Sequence, residues 1–261
     1  MPLLRAIRMF NAIEAGTTSG SQLNTLLADT SKLTEFNVLL NDPAIANRIL
    51  NGQTSVSAIL NCPAAISAIL SNKQITNQFL ANTDFATALS TNSTAMTQIA
   101  NSSVLMNAVL LNAAALFLNS SVALTAMLAN TVAKMCIYNS DSSLSIIQSN
   151  ATLMTALRAA SSYAVVSATE NGTIQVNLTT GWSGSAYILL GVSHASTTTR
   201  TITVQTKRSA SIMYSYANTN GTSNTLAKDS NLAAPLKAPY TFVIDQLGTY
   251  VAYFGILRCD I

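Results

Sequence analysis

From Asn41 to Leu157 an apolar residue returns every ten positions, and nothing else in the chain restricts its fold as much. Ile49, Ile59, Ile69, Phe79, Leu89, Ile99 and Val109 hold the interval; after one slip of two residues, Phe117, Met127, Ile137, Ile147 and Leu157 resume it. An asparagine stands seven or eight places before almost every one: Asn41, Asn51, Asn61, Asn72, Asn82, Asn92, Asn101, Asn119, Asn130, Asn139 and Asn150. The unit ending at Phe117 has none there.

Helix geometry tests what such a repeat can be. Ten residues of α-helix sweep about 1000°, roughly 80° short of three turns, so in one continuous helix the apolar stripe would rotate away from any fixed partner. Within a unit, however, apolar pairs stand three or four apart: Ile45 and Ile49, Ile66 and Ile69, Ile75 and Phe79, Phe85 and Leu89. That is helical spacing over two turns. Each unit opens on Asn, Asp, Ser or Thr, whose side-chain oxygens accept from free first-turn N–H groups, and Pro43 and Pro63 stand where a helix tolerates proline. The pattern predicts a solenoid-like stack of two-turn helices, each too short to persist alone. A β-solenoid with an asparagine ladder is the rival, disfavoured by the abundant Ala, Leu and Met.

Upstream, Leu3, Ile7, Phe10 and Ile13 predict an amphipathic helix ended by Ala15-Gly16, either an anchor for a partner or a helix packed on its own first repeats. Leu23–Leu27 and Leu33–Leu40 read as further short helices. After about Ser161 the text becomes strand-like: YAVVSA, TIQVNLTT, AYILLGVSH, TRTITVQT, SIMYSYA, YTFVID and TYVAYFGILR, rich in β-branched and aromatic residues. Seven such runs predict an antiparallel β-sandwich. The fold class expected is therefore α+β, in three parts: a helical attachment region over 1–40, the short-helix array over 41–161, and the sandwich domain over 162–261. The polar stretch from Ala217 to Pro239 reads as a long loop.

Charged residues are only 9% of the chain, against 49% hydrophobic, and the net charge is +3. The low charge and high hydrophobicity argue against disorder. The 13 Lys and Arg are scattered, with only Lys207-Arg208 adjacent, so counterion release has no dense patch to act through and nucleic-acid binding is not expected. The longest apolar run, around Val104 to Leu118, is interrupted by Asn107 and Asn112 and falls short of the roughly 20 residues of a spanning helix. Arg5 and Arg8 break the N-terminal apolar pattern, so no signal peptide is read.

Chemistry is sparse. His194 is the single histidine, and no G-x-S-x-G accompanies it. Cys62, Cys136 and Cys259 are far apart and read as buried small hydrophobes. Glu170, Asp229, Asp245 and Asp260 are the carboxylates of the strand-rich region, and nothing marks a catalytic pair among them. No enzyme, no metal site and no cofactor are expected. The surface most suited to a ligand or a subunit contact is aromatic: Trp182, Tyr214, Tyr216, Tyr250 and Tyr253.

The units NSTAMTQIANSSVLMNAVLLN and NSSVALTAMLAN resemble the degenerate repeats of structural proteins of tailed bacteriophages, and a strand-rich end closing on GTYVAYFGILRCDI is similar to the distal modules of phage fibres. The resemblance covers about Asn41 to Leu157. It implies a virion component of the tail, fibre or baseplate, assembled in the host cytoplasm as a homo-oligomer, commonly a trimer, among other virion proteins. It supplies no catalytic residues. The alternative is a glycan-binding adhesin using the C-terminal region; an ice-binding repeat fits less well, since the periodic residues are Ile and Leu instead of an exposed Thr row.

Overall fold

The computed structural model describes residues 2–171, 186–194, 200–205, 212–218, 234–237, 241–244 and 249–259. By contact the chain falls into two units, Met1–Ala133 and Lys134–Ile261.

In the first unit the helices are α1 (Pro2–Glu14), α2 (Gly20–Leu27), α3 (Thr30–Leu40), α4 (Pro43–Asn51), α5 (Gln53–Leu60), α6 (Pro63–Ser71), α7 (Lys73–Ala81), α8 (Thr83–Thr91), α9 (Ser93–Ala100), α10 (Ser103–Asn119) and α11 (Ser121–Leu128). Each of α4 to α9 is one ten-residue unit. Its core face is a stripe of three or four, as in Ala46, Ile49 and Leu50 of α4 or Ile75, Thr76, Phe79 and Leu80 of α7; the first half of α10 repeats it with Leu105, Met106, Val109 and Leu110. Helices of eight or nine residues are marginal in water, so this buried stripe is what holds them.

Consecutive helices turn sharply, by 96° from α5 to α6 and by 112° from α9 to α10. Such corners bring the chain round so that each helix meets the one three before it: α5 packs on α2, α6 on α3, α8 on α5, and α9 on α6. The first unit is thus a superhelix with three short helices to the turn. Amide and hydroxyl side chains tie successive turns together. Gln78 Nε2 donates to Asn47 Oδ1 at 3.1 Å, Gln98 Nε2 to the Pro63 carbonyl at 2.7 Å and to Ser67 Oγ at 2.8 Å, and Ser120 Oγ to the Ser90 carbonyl at 2.8 Å.

The asparagines that mark the repeat divide into two chemical roles. Asn72, Asn82, Asn92 and Asn130 are N-caps, their Oδ1 accepting from backbone N–H groups two or three residues on, as Asn92 does from Ala95 at 3.0 Å. Asn41, Asn61, Asn101, Asn119 and Asn139 work on the helix before them, donating Nδ2 to the carbonyl four residues back. In these units the next residue does the N-capping: Asp42, Cys62, Ser102, Ser120 and Ser140. The one-place wobble between seven and eight residues therefore records which side of the corner the asparagine serves.

The two-residue slip lies inside α10. There Ala113 leaves helical geometry (φ −147°, ψ 32°), so α10 is two helices joined at a kink. Asn112 closes the first half with a bond to the Ala108 carbonyl, and burial resumes at Ala114, Phe117 and Leu118. At the N-terminal end α1 packs on α3 and α5 and buries Met9, Phe10 and Ile13. Gly16, at φ +69°, ends it, with the Thr17 N–H bonded to the Ala12 carbonyl at 3.0 Å.

α12 (Thr131–Tyr138) spans the unit boundary, and the second unit goes on with α13 (Asp141–Ser149) and α14 (Ala151–Arg158), which keep the repeat's capping and burial. Strands follow: β1 (Tyr163–Asn171), β2 (Ala186–His194), β3 (Arg200–Gln205), β4 (Ile212–Asn218), β5 (Ala234–Lys237), β6 (Thr241–Ile244) and β7 (Thr249–Arg258). They pair antiparallel in two sheets that share no strand, one ordered β1-β7-β2-β5 and one β4-β3-β6.

The expected α+β chain ending in a β-sandwich is corrected here. The described residues are mostly helical, in fourteen helices, and form no C-terminal β-sandwich. The physical reason lies in what covers the strands. Ala186 to Gly191 of β2 are buried without alternation, as in a strand covered on both faces. Helix α14 packs against β1 and β7, burying Leu153, Met154 and Leu157, and the Arg158 guanidinium donates to the Leu190 carbonyl. A helix of the repeat thus takes up part of the apolar surface that a second sheet would cover in a sandwich.

One finer reading also changes. The expected 217–239 loop contains β5, paired with β2 from Ala186↔Lys237 to Leu189↔Ala234. Pro235 disguises it, and proline is tolerated there because β5 is the edge strand of its sheet. The run TIQVNLTT lies outside the described residues.

Candidate functional site

The five aromatic positions do not share one sheet. Tyr214 and Tyr216 lie on β4, in register with Val204 and Ile202 of the three-stranded sheet. Tyr250 and Tyr253 lie on β7 of the four-stranded sheet, opposite Glu170 and Ser167 of β1. Trp182 lies outside the described residues. His194 ends β2 in register with Ala252, and Glu170 is paired within β1. Asp229, Asp245 and Asp260 lie outside the described residues.

Among the described residues no three His, Cys, Asp or Glu side chains gather as a metal site would require. Cys62, Cys136 and Cys259 are buried. Cys62 is a capping residue: its Sγ accepts from the Ala65 N–H at 3.4 Å. Burial pushes its thiol above the ordinary range, opposed by the backbone N–H groups of Ala65 and Ala64; burial raises the Cys136 thiol too. Both therefore favour the neutral thiol over the nucleophilic thiolate.

Open grooves run between helices one superhelical turn apart. One of about 580 Å³ lies between α3 and α6, lined by Leu33, Asn37, Ala64, Ser67 and Ala68. One of about 520 Å³ lies where the Gly16–Gly20 segment crosses α5, lined by Thr18, Ser19, Gln53, Thr54 and Asn61. A third, of about 480 Å³, lies between α9 and α11, lined by Thr97, Val122, Thr125 and Ala126. None is lined by a charged residue, so they offer hydroxyls, amides and methyls but no acid, base or electrophile.

The charged contacts of the first unit serve architecture. Arg48 pairs with Glu14 and places its guanidinium 4.7 Å from the Phe10 ring centroid, tying α1 to α4. Lys32 pairs with Glu35 along α3 at 3.1 Å. Sequence reading passed over Gln78 and Gln98, the amides that bridge turns. Their signal is position: each stands one residue before the repeat's apolar residue, Phe79 and Ile99.

No protein-family model matches the chain, and no curated protein matches it.

Proposed function

We propose that this chain is a non-enzymatic structural component of a bacteriophage particle, associated with the tail fibre or baseplate. The repeat array is its spacer, and the strand-bearing region makes contacts between subunits or with a receptor. The observation that carries the reading is the corner chemistry of the array, where capping side chains and turn-to-turn amide bonds are spent on holding one helix to the next. The phage-like style of the repeats gives it a setting: synthesis in the host cytoplasm, then incorporation into a virion as a homo-oligomer, a trimer first, beside other virion proteins and in reach of host-surface glycans. No cofactor enters the proposal.

Sedimentation of the full chain at micromolar concentration, together with pull-down against purified virions and host cells, tests it. A defined oligomer that binds either is the expected result. A clean monomer with affinity for neither would overturn it.

A further inference from the structure

Independently of that reading, we propose that Asn51 is a site of spontaneous backbone modification, losing its side-chain amide to become aspartate and isoaspartate. Two observations single it out. Asn51 is exposed at the end of α4 and, among the described residues, its carboxamide makes no hydrogen bond, whereas Asn41, Asn61, Asn101, Asn112, Asn119 and Asn139 each commit Nδ2 to a carbonyl four residues back. The residue after it is Gly52, whereas Asp, Cys, Ser or Ala follows those six. Asn-Gly also occurs at 171–172 and 220–221, but only 51–52 lies wholly within the described residues.

Each step follows from these groups. The Gly52 amide nitrogen, unshielded by a Cβ, attacks Asn51 Cγ. The nitrogen–Cγ bond forms, the Cγ–Nδ2 bond breaks, and ammonia leaves with the amide proton, giving a five-membered cyclic imide. Water then opens the ring at either carbonyl. Cleavage at Cγ yields aspartate, and cleavage at the main-chain carbonyl yields isoaspartate. One water enters and one ammonia departs, with no oxidation or reduction. In the resting corner the Gly52 N–H is bonded to the Ile49 carbonyl at 3.2 Å, so attack requires the last residue of α4 to fray, and helix ends do so readily.

The product places a negative charge among the free carbonyls at the C-terminal end of α4, an unfavourable position for an anion. It stands three residues from Arg48, whose guanidinium holds Glu14 and Phe10 of α1.

Incubating the intact chain at mildly alkaline pH, with time points read by peptide mapping and fragmentation that separates aspartate from isoaspartate, tests the assignment. A synthetic peptide of residues 47–56 gives the unrestrained rate. Because fraying costs little, conversion at Asn51 is expected within about tenfold of the peptide, equivalent to about 1.4 kcal/mol of opening, while Asn41, Asn61, Asn101 and Asn139 stay amidated. Gly52→Ser is expected to slow it about tenfold or more: the backbone at Gly52 (φ −97°, ψ 107°) is close to that of the capping Asn92 (φ −87°, ψ 107°), and the new Cβ, 3.1 Å from Ser55 Oγ and 3.3 Å from the Arg48 carbonyl oxygen, requires these neighbours to give by a few tenths of an ångström. An Asn51 that remains amidated after the peptide has fully converted would overturn the proposal. So would a Gly52→Ser chain that converts as fast as the parent.

Discussion

Asn130 Nδ2 donates to Asn101 Oδ1 at 2.6 Å, joining two corner asparagines 29 residues apart, one superhelical turn. The same Asn130 caps α12 by accepting from Val132 N–H at 2.8 Å and Ala133 N–H at 3.3 Å, while Asn101 closes α9 on the Thr97 carbonyl at 2.8 Å. One contact thus couples the end of one helix to the start of another. Asn130→Ala is expected to cost about 1–2 kcal/mol, mostly the lost cap. A double-mutant cycle with Asn101→Ala should show a coupling of about 0.5–1 kcal/mol, read from urea midpoints. Strict additivity would mean that the asparagine pair adds nothing.

The N-caps are chemically interchangeable where the corner permits. Asn92→Ala removes the bond to Ala95 N–H and should cost about 1 kcal/mol, whereas Asn92→Ser should be nearly neutral, because Ser102 and Ser120 perform the same task at other corners. Thermal melts of the two variants check the difference.

Gly20 is required for space. A Cβ built there falls 2.5 Å from Asn61 Cβ and 2.7 and 2.8 Å from the carbonyl oxygens of Asn61 and Ala58, and two of those three are backbone atoms that cannot swing away. Gly20→Ala is expected to force α2 off α5 at a cost of about 1–3 kcal/mol. Hydrogen exchange should locate the loss in α2 and α5, with α10 and α11 unaffected.

Phe79 and Phe85 meet edge to face across the α7–α8 corner, with centroids 5.1 Å apart and an interplanar angle of 84°, and both are buried. Truncating Phe85 to alanine should cost about 3–5 kcal/mol, and Phe85→Leu should recover most of it. Denaturant titration followed by circular dichroism reads both.

Alkaline pH should destabilise the fold. Burial raises the Cys62 and Cys136 thiols above their ordinary value of 9.0 and the Tyr163 hydroxyl above 10.0. A raised folded-state value means that the unfolded chain gives up the proton first. The stability contributed is complete below the ordinary values and declines as pH rises through them toward the folded ones. A melting temperature flat from pH 6 to 8 and falling above about 9 is expected, with part of the fall removed by Cys62→Ala and Cys136→Ala.

The short helices are legible because three local signals coincide at most units: apolar residues three or four apart, a capping side chain and a corner. Ile75, Phe79 and Asn72 show all three. The two uses of asparagine were harder to separate, since donor and acceptor roles differ by one sequence position and become clear only when the corner's backbone is seen. The strand-rich region was misjudged at the level of packing. Alternation along YAVVSA or TYVAYFGILR reports a half-buried strand, but it cannot say whether a sheet or a helix such as α14 lies on the apolar face. β5 was hidden by Pro235, whose suitability depends on an edge position that only the strand order reveals. Of the aromatic surface, the sequence could nominate Tyr214, Tyr216, Tyr250 and Tyr253 but could not tell that they divide between two sheets.

The kink at Ala113 shows how this architecture handles an error in its own count. Two residues are missing from the unit that ends at Phe117, yet Phe117 is fully buried and Met127 is buried ten residues later. Since the chain turns at a corner or kink before each new helix, most of them opened by a capping side chain, phase is reset there and a miscount is discarded within one side of the superhelix. In a continuous coiled coil the same deletion would shift the seam of everything downstream. Such a chain can gain or lose residues between corners as its gene drifts, provided that the chain still turns at each corner and the next helix still buries its apolar stripe.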